Sequence, residues 1–573
     1  MRLLITFILL LWMVDSKAQL TPFELSEGKE TATYAQIISW YKQLDLKSPN
    51  LSMLNFGKTD AGHPLNLVLI SSDKSFNPAL YRQQNKVIIL VNNGIHPGEP
   101  DGIDASMMLA RDIVNKKVTL PQNVVIAFIP VYNIGGCLNR NSVSRVNQQG
   151  PVSYGFRGNA QNLDLNRDFT KCDSREAKEF ARIFHWLQPD ILMDNHVSDG
   201  ADYQYTMTLL TTQYNKLGDT LGNWLRTRFE PDLYQSMQRK NWEMTPYVNF
   251  ETADVEKGME MFYDPPRYSS GYAALFQTIA FVPETHMLKP FKDRVQATYA
   301  LMQTMLATAA SRAKEIKEIR KLAKEKLLQQ SQLPLKWQAD STVYSIIPFK
   351  GYEQAYTQSA ATLLPRMYYD RNRPFNKPVK FFHQFNPTEF VAVPKYYVIQ
   401  QGWHEVIDLL KLNGVQMQQL SKDSTVTVTA YRIEDYKSYT KPYEKHHKNH
   451  SVKTSSSQQT IKLLKGDYLI STQQQAKRYL VEMLEPTGDD CFFAWNYFDA
   501  ILQQKEGYSD YRWEEIAANI LQQQPELQLQ LNEKRKTDSA FAANAAAQLD
   551  FIYKHSPHYE PVHLRYPVFR IEQ

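Results

Sequence analysis

The feature that most constrains this chain is an alternation, through its first half, of short apolar runs with longer amphipathic stretches. Leu65 to Ser71, Lys86 to Asn92, Val124 to Val131, Asp190 to Asp194 and Thr278 to Val282 are largely apolar and bounded by turn residues, and they read as strands. Helical patterns such as Ile103 to Asn115 and Ser174 to Leu187 lie between them. Strands alternating with helices predict an α/β domain, a mixed and mainly parallel sheet flanked by helices, over residues 21–310. At 573 residues the chain is too long for one ordinary core, so further domains are expected.

Residues 311–336 are rich in Lys, Glu, Ala and Leu, with Ile316, Ile319, Leu322 and Leu327 near helical spacing. They read as a linker helix with one apolar stripe packed along the first domain. Beyond Trp337 the texture changes. Val343 to Pro348, Val379 to Phe385 and Val426 to Tyr431 read as strands, and Trp403 to Leu412 as a short helix, so residues 337–470 are expected to be β-rich. Residues 471–573 show helical patterns and are expected to be a helical tail. The basic run Lys445-His446-His447-Lys448 reads as a solvated loop.

The hydrophobic share of 43% beside 22% charged residues is that of a globular protein. A net charge of +5, spread along the chain, gives no support to a nucleic-acid partner. Met1-Arg2, the apolar run Leu3 to Val14 and the small-residue exit Ser16-Lys17-Ala18 form the three parts of a secretory signal. An uncleaved anchor is the alternative, but the run is short for a span of roughly 20 residues. Residues 1–18 are therefore expected to be removed, leaving a chain without stable membrane insertion, periplasmic or extracellular. Three cysteines, Cys137, Cys172 and Cys491, lack the spacing of a zinc cluster, so a metal site must come from histidines and carboxylates. Whether Cys137 and Cys172 pair is open at this stage.

Four motifs carry chemistry. Gly94-Ile95-His96-Pro97-Gly98-Glu99-Pro100 follows an apolar strand and precedes a helix, with a tight turn expected at Pro97 and Gly98. Ligands collect at the carboxyl ends of strands in open α/β sheets, so His96 and Glu99 are presented as metal donors there. A second strand, Asp190 to Asp194, runs into Asn195-His196, and a His-Glu-His set leaves a coordination position for water. In Asn162-Leu163-Asp164-Leu165-Asn166-Arg167-Asp168, the adjacent amide and guanidinium can grip a carboxylate; a salt bridge to a local Asp is the competing reading. In Phe281-Val282-Pro283-Glu284-Thr285-His286, Glu284 can take a proton from a metal-activated water, or else pair with Lys289 or Arg267.

Taken in order, these motifs resemble the zinc metallocarboxypeptidases of the carboxypeptidase A type, over about half the chain, from Gly57-Lys58-Thr59 to about Pro290. The resemblance implies one Zn2+ per chain on His96, Glu99 and His196, with Glu284 as general base. It implies that Asn166 and Arg167 bind the substrate's terminal carboxylate and that Asp164 orients the first zinc histidine. An arginine must stabilise the oxyanion, and Arg157 is preferred over Arg145. The mobile tyrosine of that family is placed at Tyr272, with Tyr263 the alternative. The side-chain pocket is expected within Glu251 to Tyr272, where Arg267 suggests an acidic residue. On this reading the chain hydrolyses the C-terminal residue of peptides. A zinc amidohydrolase acting on murein peptides or N-acyl amino acids is the alternative, and a non-catalytic peptide-binding protein is a third reading.

Overall fold

The computed structural model describes residues 20–250 and 255–572. The expected signal peptide, residues 1–18, lies outside them. Strands β1 (Leu51–Lys58), β2 (Pro64–Ile70), β3 (Val87–Asn92), β4 (Val124–Ile129), β5 (Ile191–Asp194), β6 (His196–Ser198), β7 (Met207–Thr211), β8 (Met244–Pro246) and β10 (Ile279–His286) form a nine-stranded sheet. A two-residue strand, β9 (Met259–Glu260), belongs to another sheet. The order is β1-β2-β4-β3-β5-β10-β7-β8, with β6 also beside β10. The centre, β4-β3-β5-β10, is parallel, β2 and β7 join it antiparallel, and β1 pairs antiparallel with β2 at the edge.

The strands read as unbroken apolar runs because both faces are covered. Along β3, Val87, Ile89 and Val91 face one core, and Ile88 and Leu90 face another. This is the period-two alternation of an extended chain. Helices Asp101–Val114 and Phe291–Ser311 cover the first face, and helix Arg175–Leu187 the second. The helix Ala313–Gln329 packs on the domain through Ile316, Ala323 and Leu327, and Lys317 and Arg320 pair with Asp190 at the entrance to β5. Leu322 is not part of its stripe and is 41% exposed, because Ala323 takes the inward position.

The second half folds onto the first rather than beside it. β11 (Gln332–Ala339) pairs with β14 (Phe385–Ala392), and β12 (Tyr344–Gln358) forms a long hairpin with β13 (Pro365–Phe382). That hairpin is built on β9, through Phe381 and Phe382, so it shares the core of the first domain. A six-stranded sheet follows, from β15 (Tyr396–Ile399), β16 (Gln418–Gln419), β17 (Ser424–Ser438), β18 (Asn449–Leu463), β19 (Tyr468–Ser471) and β20 (Val568–Ile571). Residues 510–554 are helical with a small core around Trp513, Leu531 and Phe541. The tail is not helical throughout, however: β20 returns to pair with β15 and β17, so the end of the chain closes the β-rich module. All three cysteines are buried and free. Among the described residues no helix is long and apolar enough to cross a membrane.

Candidate active site and metal centre

The site lies at the carboxyl ends of the central parallel strands. β3 ends at Asn92, and the chain turns at Gly94, whose φ of +62° suits glycine, before reaching His96. The Glu99 N–H closes a turn on the His96 carbonyl at 2.8 Å. Gly98 is the third residue of that turn, as expected, and its missing side chain has a second use. A Cβ there would meet Arg145 at 2.6 Å and the Gly155 carbonyl at 3.1 Å, so its bareness lets Arg145 lie against the loop. β5 ends at Asp194, and two residues later His196 opens β6, paired in register with Glu284 on β10.

His96, Glu99 and His196 are all buried, and one donor atom from each falls within 4.8 Å of the others. The His96 Nε2 lies 2.9 Å from Asp164 Oδ1, and the His196 Nε2 lies 3.1 Å from Asp194 Oδ2. With each Nε2 given to a carboxylate, the two Nδ1 atoms face Glu99, at 3.3 Å from Oε1 and Oε2 respectively. The His96 Nδ1 is buried with no hydrogen-bond partner. Two imidazole nitrogens and a carboxylate converging on one point, one of them an orphaned buried lone pair, fit a zinc ion. Burial opposes the charge on Glu99, but Arg145 and the two histidines hold its carboxyl well below the usual range. Burial likewise opposes the charge on His196, and Asp194 and Glu99 raise it nonetheless. Such a charge-balanced cluster, arranged around a shared centre, is how a buried cation site looks without its ion.

A cavity of about 500 Å³ opens over these residues. Glu284 enters it from β10, and burial pushes its carboxyl up to about 8; His196 opposes that shift and Glu99 adds to it. It pairs with neither Lys289, which is held by Asp202, nor Arg267, which is held by Asp490. His286 belongs to the core, 4.5 Å from the Tyr203 ring.

Asn166 and Arg167 also line the cavity. They sit on a single 3-10 turn, Leu165–Arg167, capped by the Asp164 carboxylate, which accepts from the Asn166 N–H at 2.9 Å. The Asn166 Oδ1 is buried without a partner, and the Arg167 guanidinium lies 4.3 Å from the Tyr268 ring centroid. Arg157 and Arg145 both line the cavity. Arg157 donates to Asp164 at 2.8 and 3.0 Å with its side chain 46% exposed, whereas Arg145 donates to Glu99 at 2.9 Å.

Tyr272 is not at the site. It is fully buried, and its hydroxyl donates to Asn413 at 2.7 Å and lies 3.1 Å from His185. It stands one turn inside the helix Ser269–Ala274 and points into the core against Phe169 and Phe184. Its alternative, Tyr263, is stacked on Phe385 and does not line the cavity. The tyrosines on the cavity are Tyr247 and Tyr268. Arg267 is equally removed: it is bound to Asp490 and so cannot select an acidic side chain. Asp194 and Asp264 were also missed. Asp194 sits two residues before His196, the strand spacing that shares a face, and that signal was available in the sequence.

Residues 37–190 match the family model described as zinc carboxypeptidase. The chain carries a zinc carboxypeptidase domain. With it come the peptide-bond hydrolase class and a single zinc ion, for which His96, Glu99 and His196 are the one matching cluster among the described residues. The chain is 21% identical over 462 residues to Carboxypeptidase 2 of Trichophyton rubrum and to that of Trichophyton tonsurans, covering 76% of this chain and 78% of each fungal protein. Among solved structures it is similar to a metallo-carboxypeptidase from Burkholderia cenocepacia (TM-score 0.37, 14% identity, 49% of this chain and 70% of that one). It is also similar to carboxypeptidase A from Helicoverpa armigera (TM-score 0.36, 16% identity, 49% and 74%). The matched residues of the carboxypeptidase domain include the loop of His96 and Glu99 and the turn of Asn166 and Arg167, but end before His196 and Glu284.

Proposed function

We propose that the chain is an exported zinc-dependent carboxypeptidase that releases the C-terminal residue of peptides, with Glu284 as its general base. One observation carries the reading: the His-Glu-His donor set, Glu284, and the Asn166–Arg167 pair line a single cavity. Zinc bound to His96, Glu99 and His196 supplies a Lewis acid and makes a water molecule acidic near neutral pH.

The protein groups then divide the work. Glu284 takes the proton that the attacking water gives up and returns it to the departing amine nitrogen. A carboxyl drawn upward by burial suits that exchange. Arg157, partly exposed at the cavity wall, offers its guanidinium to the carbonyl oxygen as charge develops, and Arg145 lies close enough to share that role. Asn166 and Arg167 hold the substrate's terminal carboxylate, the planar guanidinium matching its two oxygens. An internal peptide bond has no such group to offer, which restricts cleavage to the chain end. Export is supported by the charged start, the apolar run Leu3 to Val14 and the exit at Ala18.

The substrate is a peptide or a peptidoglycan peptide with a free carboxyl end. Product analysis on a mixed peptide library, beside a muropeptide containing D-amino acids, tests this reading. The expected outcome is loss of single C-terminal residues from ordinary peptides, abolished by a zinc chelator and restored by zinc. Release from the muropeptide alone would narrow the substrate to peptidoglycan peptides, and internal cleavage would contradict the reading.

A further inference from the structure

We infer that Glu444 and Asp490, both in the C-terminal module, are positioning residues of the active site that hold the two segments lining the carboxylate side of the cavity. The inference rests on the carboxypeptidase reading above. The run around Glu444 is not the solvated loop that its basic composition suggested. Lys448 is buried 3.4 Å from Asp490, and the His446 Nε2 lies 2.8 Å from Asp173.

Tyr443 to His446 is a two-residue hairpin turn closed by backbone hydrogen bonds of 2.8 and 3.1 Å. Its central residues, Glu444 and Lys445, have φ of +47° and +76°. Turns of this hand favour Asn and Gly, and two residues with long side chains hold it only at a steric cost. External contacts sustain that conformation: Tyr443 stacks on Trp495 at 6.1 Å and 16°, and His446 is tied to Asp173. The turn delivers Glu444 across 280 residues of sequence to Asp164, whose backbone N–H its Oε2 accepts at 2.8 Å. Asp164 is the junction of the site. Its carboxylate serves His96 and Arg157 and caps the turn that carries Asn166 and Arg167. Glu444 therefore fixes the main chain at the start of the turn that carries Asn166 and Arg167.

Asp490 fixes the second segment. Its buried carboxylate accepts the Arg267 backbone N–H and the Arg267 Nη1–H, each at 2.8 Å. The next residue is Tyr268, the platform under Arg167. The Arg267 carbonyl accepts from the Phe169 N–H at 3.3 Å, which joins the two segments to each other. Both contacts from the module thus end one or two residues from side chains that line the cavity, Asp164 before Asn166 and Arg267 before Tyr268.

The test uses the full zinc-loaded chain and two substrates, a peptide with a free carboxyl end and the same peptide amidated. Zinc content and Tm are measured alongside the kinetics. Glu444→Ala is expected to raise KM for the free acid roughly tenfold with kcat nearly unchanged, and to leave amide turnover, zinc and Tm as they were. Glu444→Gln keeps an acceptor oxygen and is expected to restore the wild-type KM. An unaltered KM in Glu444→Ala, or an equal loss on acid and amide, overturns the inference. Asp490→Asn is expected to act in the same direction, and if it does not fold the two Glu444 variants decide alone. A wild-type chain that releases no C-terminal residue defeats the carboxypeptidase reading and this inference with it. Active wild-type enzyme beside a Glu444→Ala variant of unchanged KM defeats the inference alone.

Discussion

The two walls of the cavity are built by different means. The metal wall stands on strand ends: His96 follows β3, His196 opens β6 next to β5, and Glu284 rides on β10, all within one parallel core. The carboxylate wall stands on a 3-10 turn and a loop, Leu165–Arg167 and Arg267–Tyr268, braced from another module. The first wall gets its accuracy from backbone ladders that the fold needs anyway. The second needs partners brought from far along the chain. On the proposed function, chemistry is anchored in the rigid core, whereas recognition of the substrate end would depend on how the two modules dock.

The largest expected effect tests the metal wall. Glu284→Gln is nearly isosteric and touches none of the zinc donors, so it is expected to keep one zinc per chain while kcat falls by about a thousandfold or more. Metal analysis with single-turnover kinetics checks this, and substantial remaining activity would remove Glu284 as base. Next comes the carboxylate wall. Arg167→Ala is expected to lower kcat/KM on a free-acid peptide about a hundredfold, mainly through KM, with zinc retained and the amidated peptide little affected. If both substrates lose equally, the two walls are not separable and the comparison fails.

That division also decides what the sequence disclosed. An apolar run that ends in a polar motif is visible without a structure, so β3, β5 and β10 and the placement of His96, His196 and Glu284 at their ends were all legible. Asn166 and Arg167 were legible as a pair of suitable types. Their support was not: Glu444 is 280 positions from Asp164, and no local pattern links a basic-looking hairpin to a 3-10 turn. Tyr272 failed for a related reason. Tyr268 and Tyr272 are one helical turn apart, and only the packing of Phe169 and Phe184 decides that Tyr272 points inward while Tyr268 meets Arg167. The return of β20 into the module sheet was equally hidden, since four residues carry too little pattern to name their partners.

The smallest expected effect concerns a titration on the carboxylate wall. Asp264 lines the cavity and is buried, and burial pushes its carboxyl from 3.8 up to about 6, although the Ser270 hydroxyl, Lys216 and Arg167 pull the other way. Below about pH 6 it is neutral in the folded chain; above, it adds a negative charge near Arg167, the cation proposed to receive the substrate's carboxylate. KM for free-acid peptides is therefore expected to rise several-fold as pH increases through that value, and the amidated peptide should not follow. The sign for stability is the same. Between pH 3.8 and about 6 the folded chain binds more protons at this position than the unfolded one, so this group's contribution to stability falls as pH rises across that interval. Asp264→Asn removes the ionisation, so it is expected to flatten the KM profile and to gain stability relative to wild type at pH 8. A KM profile for Asp264→Asn that keeps the wild-type slope would place the titration elsewhere, and with it the asymmetry between the two walls in their response to pH.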